Sequence, residues 1–90
     1  MAKFPAIHTL PVPMTPEEAM AVGNAVKSNA TVDAYWVSSW AQLNGEGKIV
    51  RIYCEWNAKS ADAIREVFSK TPDLPVDGIY PMATVDPETL

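Results

Sequence analysis

Apolar and polar side chains alternate most clearly between residues 49 and 56, where the sequence reads IVRIYCEW. Successive side chains of a β-strand point to opposite faces of its sheet, so this segment predicts a strand with two different faces. One face suits packing against helices and carries Val50, Ile52, Cys54 and Trp56. The other suits a cavity wall or a subunit interface and carries Ile49, Arg51, Tyr53 and Glu55.

The N-terminal third of the chain predicts a strand followed by a helix. Apolar and polar residues alternate from Lys3 to Leu10, which predicts a strand. The prolines of the PVP sequence that follows cannot continue a hydrogen-bonded ladder, so the strand is predicted to end there. A helix-start signature comes next: Thr15 caps, Pro16 takes the first helical position, and Glu18 completes a capping box. The helix is predicted to end near residues 28–29. Its core-facing side is predicted to carry Ala19, Met20, Val22 and Val26.

The rest of the chain predicts a hairpin, a second helix and a last strand. A strand over Asp33 to Trp40 and the 49–56 strand flank the turn sequence NGEG, whose glycines can take positive φ. Ser60 caps the second helix, which the prolines of the segment 72–75 end. The last strand, near residues 78–85, is interrupted by Pro81 and belongs at a sheet edge or a bulge. The second strand is predicted to carry on one face Ala34, Trp36, Ser38 and Trp40. The second helix is predicted to turn towards the core Ile64, Val67 and Phe68.

The predicted order is strand, helix, strand, strand, helix, strand. Two split βαβ units of this kind form a ferredoxin-like α+β sandwich, in which a four-stranded antiparallel sheet carries both helices on one face. Residues 1–90 are predicted to form this single domain, with 86–90 as a loose tail. The uncovered face would carry aromatic side chains, so two copies stacking these faces would close a small barrel with a cavity between them. The sequence therefore predicts a homodimer.

Composition narrows the class of protein and its partners. With 90 residues, 48% of them hydrophobic and 20% charged, the chain belongs to the ordinary globular class. A net charge of -4 with scattered Lys and Arg argues against nucleic acid as a partner. No apolar run approaches the roughly 20 residues of a membrane span, and the N-terminus lacks a secretory signal. A single cysteine excludes an internal disulfide, and we predict a cytoplasmic protein.

Several short segments also resemble those of a family of small bacterial domains of unknown function. They are Phe4, the segment 15–18, the sequences WVSS at 36–39, IYC at 52–54, AIRE at 63–66 and IYP at 79–81, and the closing Asp86-Pro87. The resemblance covers nearly the whole chain and implies a dimeric ferredoxin-like protein. One relative in that family binds nickel, and its histidines near the end of the first strand are similar in position to His8. The resemblance thus implies nickel, or another divalent transition metal, as the candidate cofactor.

His8 is the only side chain of this protein whose unperturbed pKa lies near neutrality. It is interpreted either as a metal ligand or proton acceptor facing the dimer cavity, or as a hydrogen-bonded histidine near a strand end, which we favour. Each protomer offers one histidine, Cys54 and Glu55 as metal ligands, so a site would need both subunits or several waters. We therefore expect weak nickel binding that is lost in the His8→Ala variant.

Five further residues are candidates for ligand binding. Trp36 and Trp40 could sandwich a flat ligand or a cation, although aromatics on a small sheet are more often core or interface residues. They are joined as candidates by the polar side chains of the central strand: Arg51, Tyr53 and Glu55. Arg51 and Glu55 lie roughly 13 Å apart along the strand, so each must meet a ligand, a neighbouring strand or the partner subunit. Cys54, on the apolar face, is predicted to be buried and inert.

These residues favour a non-catalytic protein that binds a small ligand or a metal ion in a cavity between protomers. Two alternatives stay open: a cofactor-independent enzyme of the isomerase or monooxygenase type, and a purely structural or partner-binding module. The sequence contains no HExxH, CxxC, calcium-loop or glycine-rich phosphate-binding pattern, and we assign no catalytic residue.

Overall fold

Four strands and two helices make up the protein, as a computed structural model of residues 1–90 shows. In chain order they are β1 (Ala2–Met14), α1 (Pro16–Ser28), β2 (Ala34–Leu43), β3 (Ile49–Ala58), α2 (Ala61–Phe68) and β4 (Gly78–Ile79), followed by a 3-10 turn over Pro87–Thr89. The sheet order is β2-β3-β1-β4, and every neighbouring pair is antiparallel. The predicted ferredoxin-like α+β fold is confirmed. Neither helix is long and apolar enough to span a membrane.

Capping side chains determine where the two helices begin. The Thr15 hydroxyl accepts a hydrogen bond from the Glu18 N–H at 3.2 Å, and the Glu18 carboxylate accepts one from the Thr15 N–H at 3.0 Å. This is the predicted capping box. In α2, the Ser60 hydroxyl accepts from the Ala63 N–H at 3.2 Å, as its predicted role as N-cap requires. Local sequence therefore fixes both helix starts.

The two helices cover the sheet unequally. Helix α2 buries the predicted stripe of Ile64, Val67 and Phe68, whereas α1 buries only Val26 completely. The prediction that Met20 faces the core is wrong, since it is 70% exposed. The inward side of α1 is Ala19, Val22, Gly23 and Val26. Met20 lies one position, about 100° around the helix, from that stripe.

The core lies between the helices and one face of the sheet, which we call the helix-covered face. Trp56 is its largest fully buried side chain, stacked on Trp36 at 6.1 Å between ring centroids and edge-on to Phe68 at 5.5 Å. The strands contribute to the core Phe4, Ala6, Leu10, Ala34, Cys54, Ala58 and Ile79. The opposite face, which we call the open face, is covered by neither helix.

A β-bulge in β2 overturns one prediction. Trp36 pairs with Trp56, but Ser38 pairs with Glu55, so β2 uses one residue more than β3 between these pairs. The extra residue reverses the alternation. Trp36 therefore lies on the helix-covered face, while Ser38 and Trp40 lie on the open face. The predicted common face of the two tryptophans is wrong.

Three strand ends also differ from the predictions. β1 runs on to Met14 instead of ending at Leu10, and its pairing with β3 skips from Thr9 to Met14, so the prolines lie in a bulge without ladder partners. A register shift beside Leu43 puts Ile49 on the helix-covered side, away from Arg51. β4 covers only 78–79 instead of 78–85, although the Tyr80 and Met82 N–H groups still donate to β1 carbonyls at 3.0 and 2.9 Å.

Candidate functional site

The open face is organised as four rows of side chains that cross β1, β3 and β2. Residues that pair directly in an antiparallel sheet point to the same side, so the pairing register identifies the rows. From one end of the sheet to the other they are Lys3–Asn57–Tyr35, Pro5–Glu55–Ser38, Ile7–Tyr53–Trp40 and Thr9–Arg51–Gln42. Three of the predicted polar candidates and Trp40 thus share this face.

Hydrogen bonds link five side chains into a continuous chain across one end of the open face, which we call the polar row. Its members are Asp77, Thr9, Arg51, Tyr53 and Gln42. The Thr9 hydroxyl donates to the Asp77 carboxylate and accepts from Arg51 Nε at 3.1 Å. The Tyr53 hydroxyl donates to Gln42 Oε1 at 3.1 Å and lies 3.5 Å from Arg51 Nη1. The polar row therefore spans the sheet from the β4 edge to the β2 edge.

Both charged members of the polar row are held in their ionised forms. The hydrogen bond from Thr9 lowers the pKa of Asp77 below its ordinary 3.8, and the Arg51 charge acts in the same direction. The hydrogen bond to Tyr53 raises the pKa of Arg51 above its ordinary value. The row thus carries a fixed positive and a fixed negative charge at neutral pH.

A second polar group lies at the opposite end of the open face. Lys3 Nζ forms an ion pair with Glu55 and a hydrogen bond with Asn57 Oδ1 at 3.3 Å. Together with Arg51 and Asp77 this gives the face two positive and two negative side chains. The net charge of -4 of the chain therefore resides elsewhere on the molecule.

Aromatic side chains are exposed on the same face. Trp40 is 78% exposed, and Tyr35 and Tyr80 are also largely open to solvent. The Tyr80 ring lies over Gly78, where an added Cβ would clash with the phenol. Glycine is thus the residue that lets Tyr80 lie flat against the sheet. Exposed aromatics beside charged groups are typical of a recognition surface.

His8 lies on the helix-covered face, away from Arg51, Tyr53 and Glu55. It is fully buried, edge-on to Phe68 at 4.7 Å, and its Nδ1 lies 2.7 Å from the Pro75 carbonyl oxygen. Since a carbonyl only accepts, Nδ1 carries the proton and Nε2, which has no partner, does not. Burial lowers the pKa of His8 below 6.5, against the opposing effects of the Pro75 hydrogen bond and Asp77. The sequence left the direction of His8 open, and the structure supports the hydrogen-bonded interpretation.

The residues of one protomer do not fit a nickel ion. No group of three or more His, Cys, Asp and Glu side chains is arranged to hold a metal. His8 and Glu55 lie on opposite faces of the sheet, and Glu55 is already paired with Lys3. Cys54 faces the helices, where burial raises the pKa of its thiol and keeps it in the neutral form that binds metals poorly.

Trp36 and Cys54 instead line a cavity of about 150 Å³ between α1 and the sheet. Trp36 Nε1 donates to Ser39 Oγ at 2.8 Å, and the Ser39 hydroxyl donates to Cys54 Sγ at 3.1 Å. No hydrophobic pattern in the sequence predicted this cavity. The available signal is the small size of Ala19 and Gly23 on the inward stripe of α1, which leaves room above Ser39 and Ala41.

Comparisons with known proteins agree with this fold. The family described as "Nickel responsive protein SCO4226-like" matches residues 4–82. The structure is similar to the crystal structure of SCO4226 from Streptomyces coelicolor A3(2), with a TM-score of 0.76 and 19% sequence identity over 94% of this chain and 100% of that chain. At this identity the likeness shows the fold alone. No relative among curated proteins matches the chain.

Proposed function

The chain belongs to the SCO4226-like family of nickel-responsive proteins, and we propose that it is a non-catalytic binding protein that dimerises through its open face. In this proposal a small ligand lies between the two open faces, against the polar row. The observation that carries it is the hydrogen-bonded chain from Asp77 to Gln42 on a face that also exposes Trp40. A charged, ordered network beside exposed aromatics suits recognition better than it suits bulk solvent.

A second copy of the chain is the partner that the open face fits best. Its two positive and two negative side chains balance, so two open faces can meet without net repulsion. A two-fold axis would bring the same patch of both protomers together, which allows Lys3 of one protomer to approach Glu55 of its partner. A domain of 90 residues also gains stability from burying Trp40, Tyr35 and Tyr80.

Arg51 indicates the chemistry of the ligand. Its guanidinium group has five N–H donors, and only the contacts with Thr9 and Tyr53 use any of them. The remaining donors form a planar fork that suits a carboxylate. Asp77 is turned towards Thr9, which leaves the outer side of Arg51 to the ligand. We therefore propose a small carboxylate as the ligand class.

Light scattering coupled to gel filtration tests the dimer. At micromolar concentration we expect a mass of about twice 9.8 kDa for the wild type and a monomer for Trp40→Glu. Met20→Glu is the matched control, because it makes the same kind of change at an exposed apolar residue on the helix side. A wild-type monomer would contradict the proposal, and so would dissociation by the Met20 substitution.

Calorimetry with acetate, succinate and citrate tests the ligand class. Arg51→Met keeps the length of the side chain but removes its charge and donors, and should abolish the binding heat of the wild type. Lys3→Met removes the other positive charge of the open face and should retain binding, because Glu55 already engages Lys3. A dimer that binds none of the three carboxylates would contradict this ligand class.

Nickel is the second candidate, and the family description is what favours it. Because one protomer lacks a metal-binding group, a site would need ligands from both protomers. We expect binding weaker than micromolar in calorimetry. The sequence predicted that His8→Ala would lose this binding, but a buried, hydrogen-bonded His8 predicts the same weak binding in the variant. Loss of binding in His8→Ala would show that His8 is a ligand after all. Submicromolar affinity in the wild type would contradict the misfit seen in one protomer.

A further inference from the structure

The cavity between α1 and the sheet lies behind the open face, and nothing in the proposed dimer uses it. We propose that this cavity is a separate binding site for a neutral molecule the size of one aromatic ring. The site is complete within one protomer, since its walls come from α1, β2, β3 and the region of α2. This proposal does not depend on the dimer or on the carboxylate ligand.

Size and lining carry the first part of this inference. The cavity measures about 150 Å³, and ten of its twelve lining residues are hydrophobic. An apolar cavity of roughly this size in another protein stays dry and takes up benzene. An unfilled space costs the surrounding side chains their dispersion contacts, so an apolar occupant regains them. One ring in contact with Trp36 and Phe68 fits both the volume and the chemistry of the walls.

The polar atoms in the wall indicate that the occupant is neutral. Trp36, Ser39 and Cys54 hydrogen-bond to one another in sequence, and no charged side chain lines the cavity. A charged ligand would lose its hydration without gaining a counter-charge. Ser39 is exposed at the rim, and its oxygen has a lone pair left to accept a hydrogen bond from a ligand hydroxyl. A phenol therefore suits the site at least as well as benzene.

Gly23 marks the entrance. A surface depression outside α1 shares Ala19, Gly23, Trp36 and Ile49 with the cavity, which places the opening between the helix and these side chains. Glycine in mid-helix makes the helix less stable than alanine would. A Cβ at this position would meet only Trp36, at an ordinary 3.6 Å, so packing does not demand glycine. The absent side chain does keep the entrance wide.

Nuclear magnetic resonance on the 15N-labelled protein tests the site, with benzene, phenol and benzoate as probes. We expect benzene and phenol to shift the indole N–H signal of Trp36 saturably, while the signal of Trp40 on the open face stays in place. Benzoate should leave the Trp36 signal in place at the same concentration, because its carboxylate finds no counter-charge in the cavity. Trp36→Phe assigns the reporting signal. Absence of a saturable shift, or equal shifts of Trp36 and Trp40, would overturn the proposal.

A pair of variants on one helix supplies the matched control. Ala19→Leu places extra carbon atoms in the cavity and should weaken binding of phenol by about tenfold or more, which corresponds to about 1.4 kcal/mol. Ala21→Leu makes the same change on the exposed side of α1 and should bind like the wild type. If the Ala19 variant does not fold, Ala41→Val fills the space from the β2 side. Wild-type affinity in a folded variant with a filled cavity would overturn the proposal.

Discussion

The two faces of the sheet are formed by the same strands, but they place their side chains in opposite environments. On the helix-covered face, Trp56 is 0% exposed and His8 is kept neutral by burial. On the open face, Trp40 is 78% exposed, and Arg51 and Asp77 are held in their charged forms by hydrogen bonds. The covered face specifies the fold because the buried core lies on it. The open face is free to be specific for a partner, because the fold does not depend on it.

The two tryptophans give the largest expected difference between the faces. Trp56→Ala should lower the free energy of unfolding by about 3–5 kcal/mol, because it leaves a cavity beside Trp36 and Phe68. Trp40→Ala should change it by no more than about 0.5 kcal/mol in the monomer. Urea denaturation at a dilution where the chain is monomeric measures both. Trp56→Phe, which keeps most of the apolar volume, should lose less, and equal losses at Trp56 and Trp40 would refute the contrast.

His8 gives the covered face a pH dependence that the open face lacks near neutrality. Burial lowers the pKa of His8 below its ordinary 6.5, so the unfolded chain binds the proton more readily than the folded one. Folding stability is therefore fully present above about pH 6.5 and falls as the pH drops below it, by at most about 1.4 kcal/mol per pH unit. Urea titrations between pH 5 and 8 should show this slope in the wild type and lose it in His8→Leu. A slope of equal size in the variant would assign the effect to other groups.

The Lys3–Glu55 ion pair gives the smallest expected effect. About a third of each side chain is exposed, so water screens the attraction. Lys3→Met should cost less than about 1 kcal/mol, and the cost should shrink in high salt. A double-mutant cycle with Glu55→Gln isolates the pair, and Lys59→Met serves as the control for removing a lysine without an ion pair. A coupling energy that does not respond to salt would indicate that the open face is more enclosed than the monomer shows.

The order of the elements could be predicted from the sequence because each carries a local signal. Thr15 and Ser60 mark helix starts, and the NGEG sequence marks the hairpin, where Gly47 takes a φ of +76°. The pattern also separated the helix-covered side of β3 from Arg51, Tyr53 and Glu55. These features depend on neighbours along the chain, which the sequence displays directly.

The parts that could not be predicted depend on pairing between strands. Alternation alone cannot show that β2 has an extra residue opposite β3, so Trp40 was assigned to the face of Trp36. It also cannot show on which side of the sheet β1 presents His8. The cavity arises because the side chains of Ala19, Gly23 and Ala41 are small or absent. A hydrophobic pattern does not show how much space the side chains leave unfilled. Sites that depend on the pairing register of strands or on unfilled space in the core therefore cannot be predicted from a single sequence.

The bulge in β2 also makes the length of this strand adjustable. Without one of the three residues between Trp36 and Trp40, the two tryptophans would be three positions apart and would lie on opposite faces of an unbroken strand. The two tryptophans already lie on opposite faces in the strand with the bulge, because the bulge takes up the extra residue. Deletion of a single residue at this point therefore leaves both surfaces intact. A gap in an alignment of family members between these positions would mark a flattened bulge and no change in what either side of the sheet presents.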